Sequence, residues 1–95
     1  MAKRPNILFI MVDQLAASAL PAYGHALVQA PTIDRLAAGG VLFESAYCNF
    51  PICAPSRFSL LSGQLASRIG AFDNAAEFSA ATPTIAHRLR RMGYR

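Results

Sequence analysis

Asn6-Ile7-Leu8-Phe9-Ile10-Met11-Val12, closed by Asp13, is the stretch on which the fold reading turns. It is an apolar run without polar alternation, the pattern of a strand covered on both faces in a parallel sheet. A carboxylate directly after such a strand stands where open α/β sheets gather ligands, which gives Asp13 a functional reading. The structural reading, a cap for a helix through Leu15 to Leu20, weighs about as much on position alone. Further along, Pro31 opens a short amphipathic helix with Ile33, Leu36 and Ala37 on one face, Asp34 and Arg35 pointing away, and Gly39-Gly40 as its stop. Val41 to Tyr47, β-branched and aromatic, predicts a second strand. Thr82 as N-cap and Pro83 at N1 begin a last helix that buries Ile85, Leu89 and Met92, turns His87 and its arginines outward and closes at Gly93. Strand, helix, strand, helix, helix is the order of an α/β layer fold.

The composition fits a buried interior. Of 95 residues, 54% are hydrophobic and only 15% charged, which excludes a disordered chain. A free-standing domain of this size buries only about 60–68% of its unfolded surface. So few charges to cover the remainder suggest a piece of something larger. The break after the helix stop at Gly93, where an α/β unit would enter its next strand, points the same way.

Charge is unevenly distributed. Residues 1–87 balance Lys3, Arg4, Arg35, Arg57 and Arg68 against Asp13, Asp34, Glu44, Asp73 and Glu77, so the net +4 comes from Arg88, Arg90, Arg91 and Arg95. Without aromatic or polar interleaving this is no nucleic-acid footprint. Lys3, Arg4 and the apolar run imitate a signal peptide, but Ile7–Val12 falls short of the ~7–15 apolar residues such a segment uses, and Asp13 and Gln14 interrupt it. No stretch reaches the ~18–20 apolar residues of a membrane span. The expectation is therefore a cytoplasmic protein with neither membrane nor nucleic acid as partner. The two cysteines, Cys48 and Cys53, give no disulfide framework. With His25 and His87 they also lack the short paired spacing of a zinc site.

Chemistry concentrates in Cys53-Ala54-Pro55-Ser56-Arg57, followed by Phe58-Ser59-Leu60-Leu61-Ser62-Gly63. Pro55 suits the first turn of a helix, which puts Cys53 at or just before a helix N-terminus. There, unpaired N–H groups and the positive end of the dipole favour an anion. Arg57, one turn on, adds a planar fork of donors suited to a tetrahedral oxyanion. Cys48 has neither a helix start nor a basic neighbour and reads as packing.

Cys-x-Pro-Ser-Arg followed by Leu-x-Ser-Gly resembles the signature of the sulfatase family. Asp13 after its strand, Ala30-Pro31-Thr32-Ile33-Asp34-Arg35-Leu36-Ala37, and Leu42-Phe43-Glu44-Ser45-Ala46-Tyr47-Cys48-Asn49 resemble that family in the same order. The resemblance implies an alkaline-phosphatase-like α/β fold, of which residues 1–95 would be the N-terminal part of a longer catalytic domain. It implies a sulfuric ester hydrolase in which Cys53, oxidised to formylglycine, supplies a hydrated aldehyde as nucleophile, with Arg57 as second catalytic residue. Asp13 and residue 53 would ligate a divalent metal, calcium first, with manganese or magnesium as alternatives. A hydroxyl on such a cation loses its proton near neutral pH.

Two departures, Gln14 in place of a second aspartate and Ser62-Gly63-Gln64 after the leucines, look like the choline-sulfatase branch. So does Ala71-Phe72-Asp73-Asn74-Ala75-Ala76-Glu77-Phe78, in which Asn74 would donate to a sulfate oxygen. Gln14 and Asn74 are then the substrate-binding residues, and a small sulfate ester such as choline sulfate is the substrate. The maturation partner is a formylglycine-generating or anaerobic sulfatase-maturating enzyme, and a homo-oligomeric parent is compatible with this reading. Asp-Gln at a strand end is also similar to phosphonate monoester hydrolases and related phosphodiesterases, which leaves sulfur against phosphorus open, so the Asp73 to Phe78 loop is the better discriminator. Beside both readings stands a truncated, inactive product.

Overall fold

The computed structural model describes residues 4–95. Lys3, the first basic residue of the signal-like N-terminus, lies outside the described residues. The chain divides into two compact units, Met1–Ser45 and Ala46–Arg95. Among the described residues every regular element is helical. The α/β, alkaline-phosphatase-like sheet expected from the sequence is thereby corrected: neither Asn6–Val12 nor Val41–Tyr47 forms a strand. A strand exists only as part of a hydrogen-bonded ladder. Apolar composition records a capacity for burial and supplies no partner. Ile7 to Val12 instead stand 48–84% exposed.

In the first unit, short 3-10 turns at Ala17–Ala19 and Pro21–Tyr23 replace the expected helix through Leu20. Gly24, at φ 94°, closes the second turn, its N–H donating to the Pro21 carbonyl at 2.8 Å. His25 Nδ1 accepts from the N–H groups of Leu27 and Val28. Helix α1 spans Pro31–Gly39, with Pro31 in its first turn as its ring geometry favours. It packs on the Pro21–Tyr23 turn. The expected apolar face is corrected, because Ile33 and Leu36 are exposed while Asp34 and Ala37 are the half-buried pair. The Tyr23 hydroxyl donates to the Phe43 carbonyl at 2.8 Å.

The second unit is built on α2, Cys53–Ser62, which packs on α3, Ala66–Ile69, and on α4, Ile85–Arg91. Pro55 and Ser59, four residues apart on one face of α2, are buried, as are Ala66 and Ala71. The centre of this unit is therefore made of small side chains. Gly63 ends α2 at φ 69°, its N–H donating to the Ser59 carbonyl at 2.8 Å. Gly70 ends α3 in the same left-handed conformation, and Ala71 N–H donates back to Ala66 O.

Helix α4 starts two residues later than expected. Its N-cap is Thr84, whose N–H donates to His87 Nδ1 at 3.2 Å, with the Thr84 hydroxyl 2.8 Å from the same nitrogen. With the Thr84 side chain accepting in turn from the His87 backbone N–H, a capping box sets the start at Thr84 in place of Thr82. His87, expected to be merely solvated, holds the end of its own helix. Ile85 and Met92, expected in the core, are 56% and 60% exposed, and only Leu89 of the three is half-buried.

Ser59 Oγ is buried without a hydrogen-bond partner among the described residues, in a side chain 3% exposed. Ser59→Ala is therefore expected to raise stability by up to about 1 kcal/mol, because it removes a desolvated, unpaired hydroxyl. Gly63→Ala is expected to lower stability by about 1–2 kcal/mol, the cost of a side chain in the left-handed region. Thermal unfolding followed by helical circular dichroism measures both, and a shift of opposite sign in either variant contradicts the account.

Candidate functional site

Cys53 is the first residue of α2 and is exposed. Extended backbone at Ile52 turns into the helix there, and the first intrahelical bond runs from Ser56 N–H to the Ile52 carbonyl at 3.0 Å. Arg57 lies four residues on, on the same helical face, and is exposed. Sequence and structure agree on this pair. They differ on what the helix end offers. Pro55 has no N–H, and the Ala54 N–H already donates to Asn74 Oδ1 at 2.9 Å. The expectation of several open N–H groups is thus corrected to the N–H of Cys53.

Asn74 comes to α2 on a tied loop. Asp73 Oδ1 accepts from Ala75 N–H at 2.9 Å, closing an Asx turn. Phe78 stacks on Phe58, with ring centroids 4.6 Å apart and planes 12° from parallel. Sequence reasoning placed Asn74 at the site as a donor and missed the acceptor side of its carboxamide. It also missed the Phe58–Phe78 pair, for which residues twenty apart in the chain carried no local signal.

Asp13 and Gln14 belong to the first unit, where they form a turn and Gln14 adopts φ 53°, uncommon for a side chain of its kind. Cys48, expected to be packed, is exposed. Among the described residues no group of three or more His, Cys, Asp or Glu side chains could hold a metal ion. The divalent metal expected on Asp13 and residue 53, whether calcium, manganese or magnesium, is corrected on that finding, since hard cations take six or more oxygens.

The remaining expectations rested on that sheet and that metal. They are a sulfuric ester hydrolase or phosphonate-type enzyme working through a formylglycine hydrate, a choline-sulfate-type substrate and a maturating enzyme as partner. The described residues show neither support, and these expectations are corrected with it. No helix among the described residues is long and apolar enough to cross a membrane.

One cavity was not anticipated. In the first unit, Pro21, Ala22, Asp34, Ala37, Ala38 and Leu42 line a pocket of about 350 Å³. Asp34 Oδ1 is closed off from solvent and has no hydrogen-bond partner among the described residues. The sequence carried no signal for this, because the amphipathic pattern sent Asp34 outward.

A profile of the sulfatase family matches residues 5–95, and the chain belongs to that family. It is 46% identical over 91 residues to a choline-sulfatase of Rhizobium meliloti, covering 96% of this chain and 18% of that protein. It is 37% identical to an N-acetylglucosamine-6-O-sulfatase of Bacteroides thetaiotaomicron, covering 97% of this chain and 16% of that protein. With arylsulfatase A of Bos taurus it shares 42% identity over 80% of this chain and 15% of that protein. The chain thus spans less than a fifth of the length of these relatives. No solved structure matches it.

Phe78→Ala is expected to release the loop from α2, since a stacked aromatic pair contributes about 0.5–1.5 kcal/mol beyond the area it buries. Hydrogen exchange should quicken at residues 74–78 while the amides of Ser59 to Ser62 hold. Unchanged exchange in the loop would show that the ring pair does not anchor it.

Proposed function

We propose that residues 1–95 are the N-terminal part of a longer sulfatase-family domain, and that their contribution to it is the anion-receiving end of α2. In this reading Cys53 is the side chain that meets a tetrahedral oxyanion, Arg57 holds its oxygens and Asn74 stands beside them.

The observation that carries the proposal is the exposed Cys53 at the first position of a ten-residue helix, with Arg57 one turn along the same face. The positive end of a helix dipole stabilises a nearby anion by about 0.3–1 kcal/mol, and a guanidinium adds a fork matched to two oxygens. The relatives' names supply the first anion to try, sulfate.

The thiol itself is the probe. Iodoacetamide and iodoacetate alkylate by the same displacement of iodide from carbon by thiolate, and differ in that the second reagent is an anion. Rates are read by peptide mass spectrometry at low ionic strength, with the exposed Cys48 as reference in the same molecule. The ratio of iodoacetate to iodoacetamide rates is expected to be several-fold higher at Cys53 than at Cys48. Sulfate should slow Cys53 more than sodium chloride of equal ionic strength does, and Arg57→Gln should remove most of the excess. Equal ratios at the two cysteines would overturn the proposal.

A further inference from the structure

We infer that Asn74 is a positioning residue for the Cys53 turn, capping α2 from twenty residues along the chain. Only its last step rests on the anion reading above.

An N-cap side chain ordinarily accepts a hydrogen bond from the second or third helical N–H. Ile52, at the cap position of α2, has a hydrocarbon side chain and makes no such bond. The third helical residue is Pro55, which has no N–H to satisfy. Ala54, the second, is therefore the amide that a cap must serve, and Asn74 Oδ1 serves it at 2.9 Å. The donor is a backbone N–H, so the atom facing it is the oxygen, and the orientation of the carboxamide is fixed. Nδ2 then lies on the side of the carboxamide away from Ala54. One side chain thus closes the helix with its acceptor and keeps its donors for a ligand.

The placement is built at two points. Asn74 meets Ala54 and Phe78 meets Phe58, so contacts four residues apart on the loop fall on positions four apart on α2. Ala54 and Phe58 share one stripe of the helix, and Cys53 and Arg57 form the adjacent stripe. The loop grips the flank of the reactive face without covering it. The Asx turn at Asp73 holds Asn74 in that place. The direction in which Cys53 is presented is then set by a residue that need not touch whatever Cys53 meets.

Two variants of the full chain separate capping from ligand donation. Asn74→Asp keeps an acceptor for Ala54 N–H and replaces the donors by negative charge, whereas Asn74→Ala removes both. Hydrogen exchange at the Ala54 amide is expected to run roughly 5-fold faster in Asn74→Ala, the loss of one cap, and to stay near the parent rate in Asn74→Asp. The Ser59 to Ser62 amides show whether either change is local. The iodoacetate to iodoacetamide ratio at Cys53 should fall in Asn74→Asp although the cap is kept, an effect a purely structural role does not produce.

Unchanged Ala54 exchange in a folded Asn74→Ala would overturn the inference. If Asn74→Ala does not fold, fast Ala54 exchange in Asn74→Asp would overturn it equally. Should the Ala54 results hold while parent Cys53 and Cys48 show the same reagent ratio, the positioning role stands and the anion reading alone fails.

Discussion

The hydrogen bond from Ala54 N–H to Asn74 Oδ1 is the constraint through which the second unit has a defined site. Without it α2 would begin after a hydrocarbon residue, with Pro55 contributing no donor and Ala54 left open. The bond couples two stretches that each make sense alone, a helix start and an Asx turn, and turns them into one piece. It also reduces what the helix end offers an anion. The general attraction of a helix N-terminus comes from several converging N–H groups. Here the chain keeps the dipole and the side chains of Cys53, Arg57 and Asn74 but commits one of its two first-turn amides internally.

The same economy governs packing. Pro55, Ser59, Ala66 and Ala71 are buried, and none brings a large side chain. Small residues let α2 and α3 approach closely, and the left-handed glycines at 63 and 70 let the chain reverse twice within a few residues. The apolar area removed from water is correspondingly modest, and at roughly 25 cal/mol per Å² its burial contributes correspondingly little. Specific bonds then carry an unusual share of the order: the Asn74 cap, the Thr84–His87 pair and the Phe58–Phe78 stack. Arg88, Arg90 and Arg91 fall in the last turn of α4, where cations meet the negative end of the dipole. Three of the four arginines that make up the basic excess thus have a local structural use.

What was legible in the sequence is what is local. Helix α1 opens at Pro31 and ends at the two glycines as read, and Cys53 starts α2 as the Pro55 argument requires, because caps, proline and glycine act within one turn. Even so, the face of α1 differs from the pattern, since of Ile33, Leu36 and Ala37 only Ala37 turns inward, and Asp34 joins it there. The start of α4 was off by two residues because two threonines competed and only Thr84 has His87 three residues on. The Ala54–Asn74 bond and the Phe58–Phe78 stack join residues twenty apart, and no periodicity encodes them. The two strands failed for the strongest form of this reason, because a ladder is a property of a pair of segments and a single segment cannot announce its partner.

Family membership and local geometry therefore speak to different things. The match over residues 5–95 establishes descent, and it does so through motifs such as Cys53-Ala54-Pro55-Ser56-Arg57 whose local structure these residues can build from nearby contacts. A metal centre is not of that kind. It needs several hard oxygens within about 2.5 Å of one point, and carboxylates from distant segments meet only where a scaffold brings them together. An anion site on a helix end has a lower threshold, because the dipole, one guanidinium and one carboxamide suffice to bias a charge. Of the chemistry the motif suggests, the part that survives on residues 4–95 is the part requiring the shortest chain. In the reading proposed above, it is the recognition of negative charge at Cys53, beside a loop tied to α2 through Asn74.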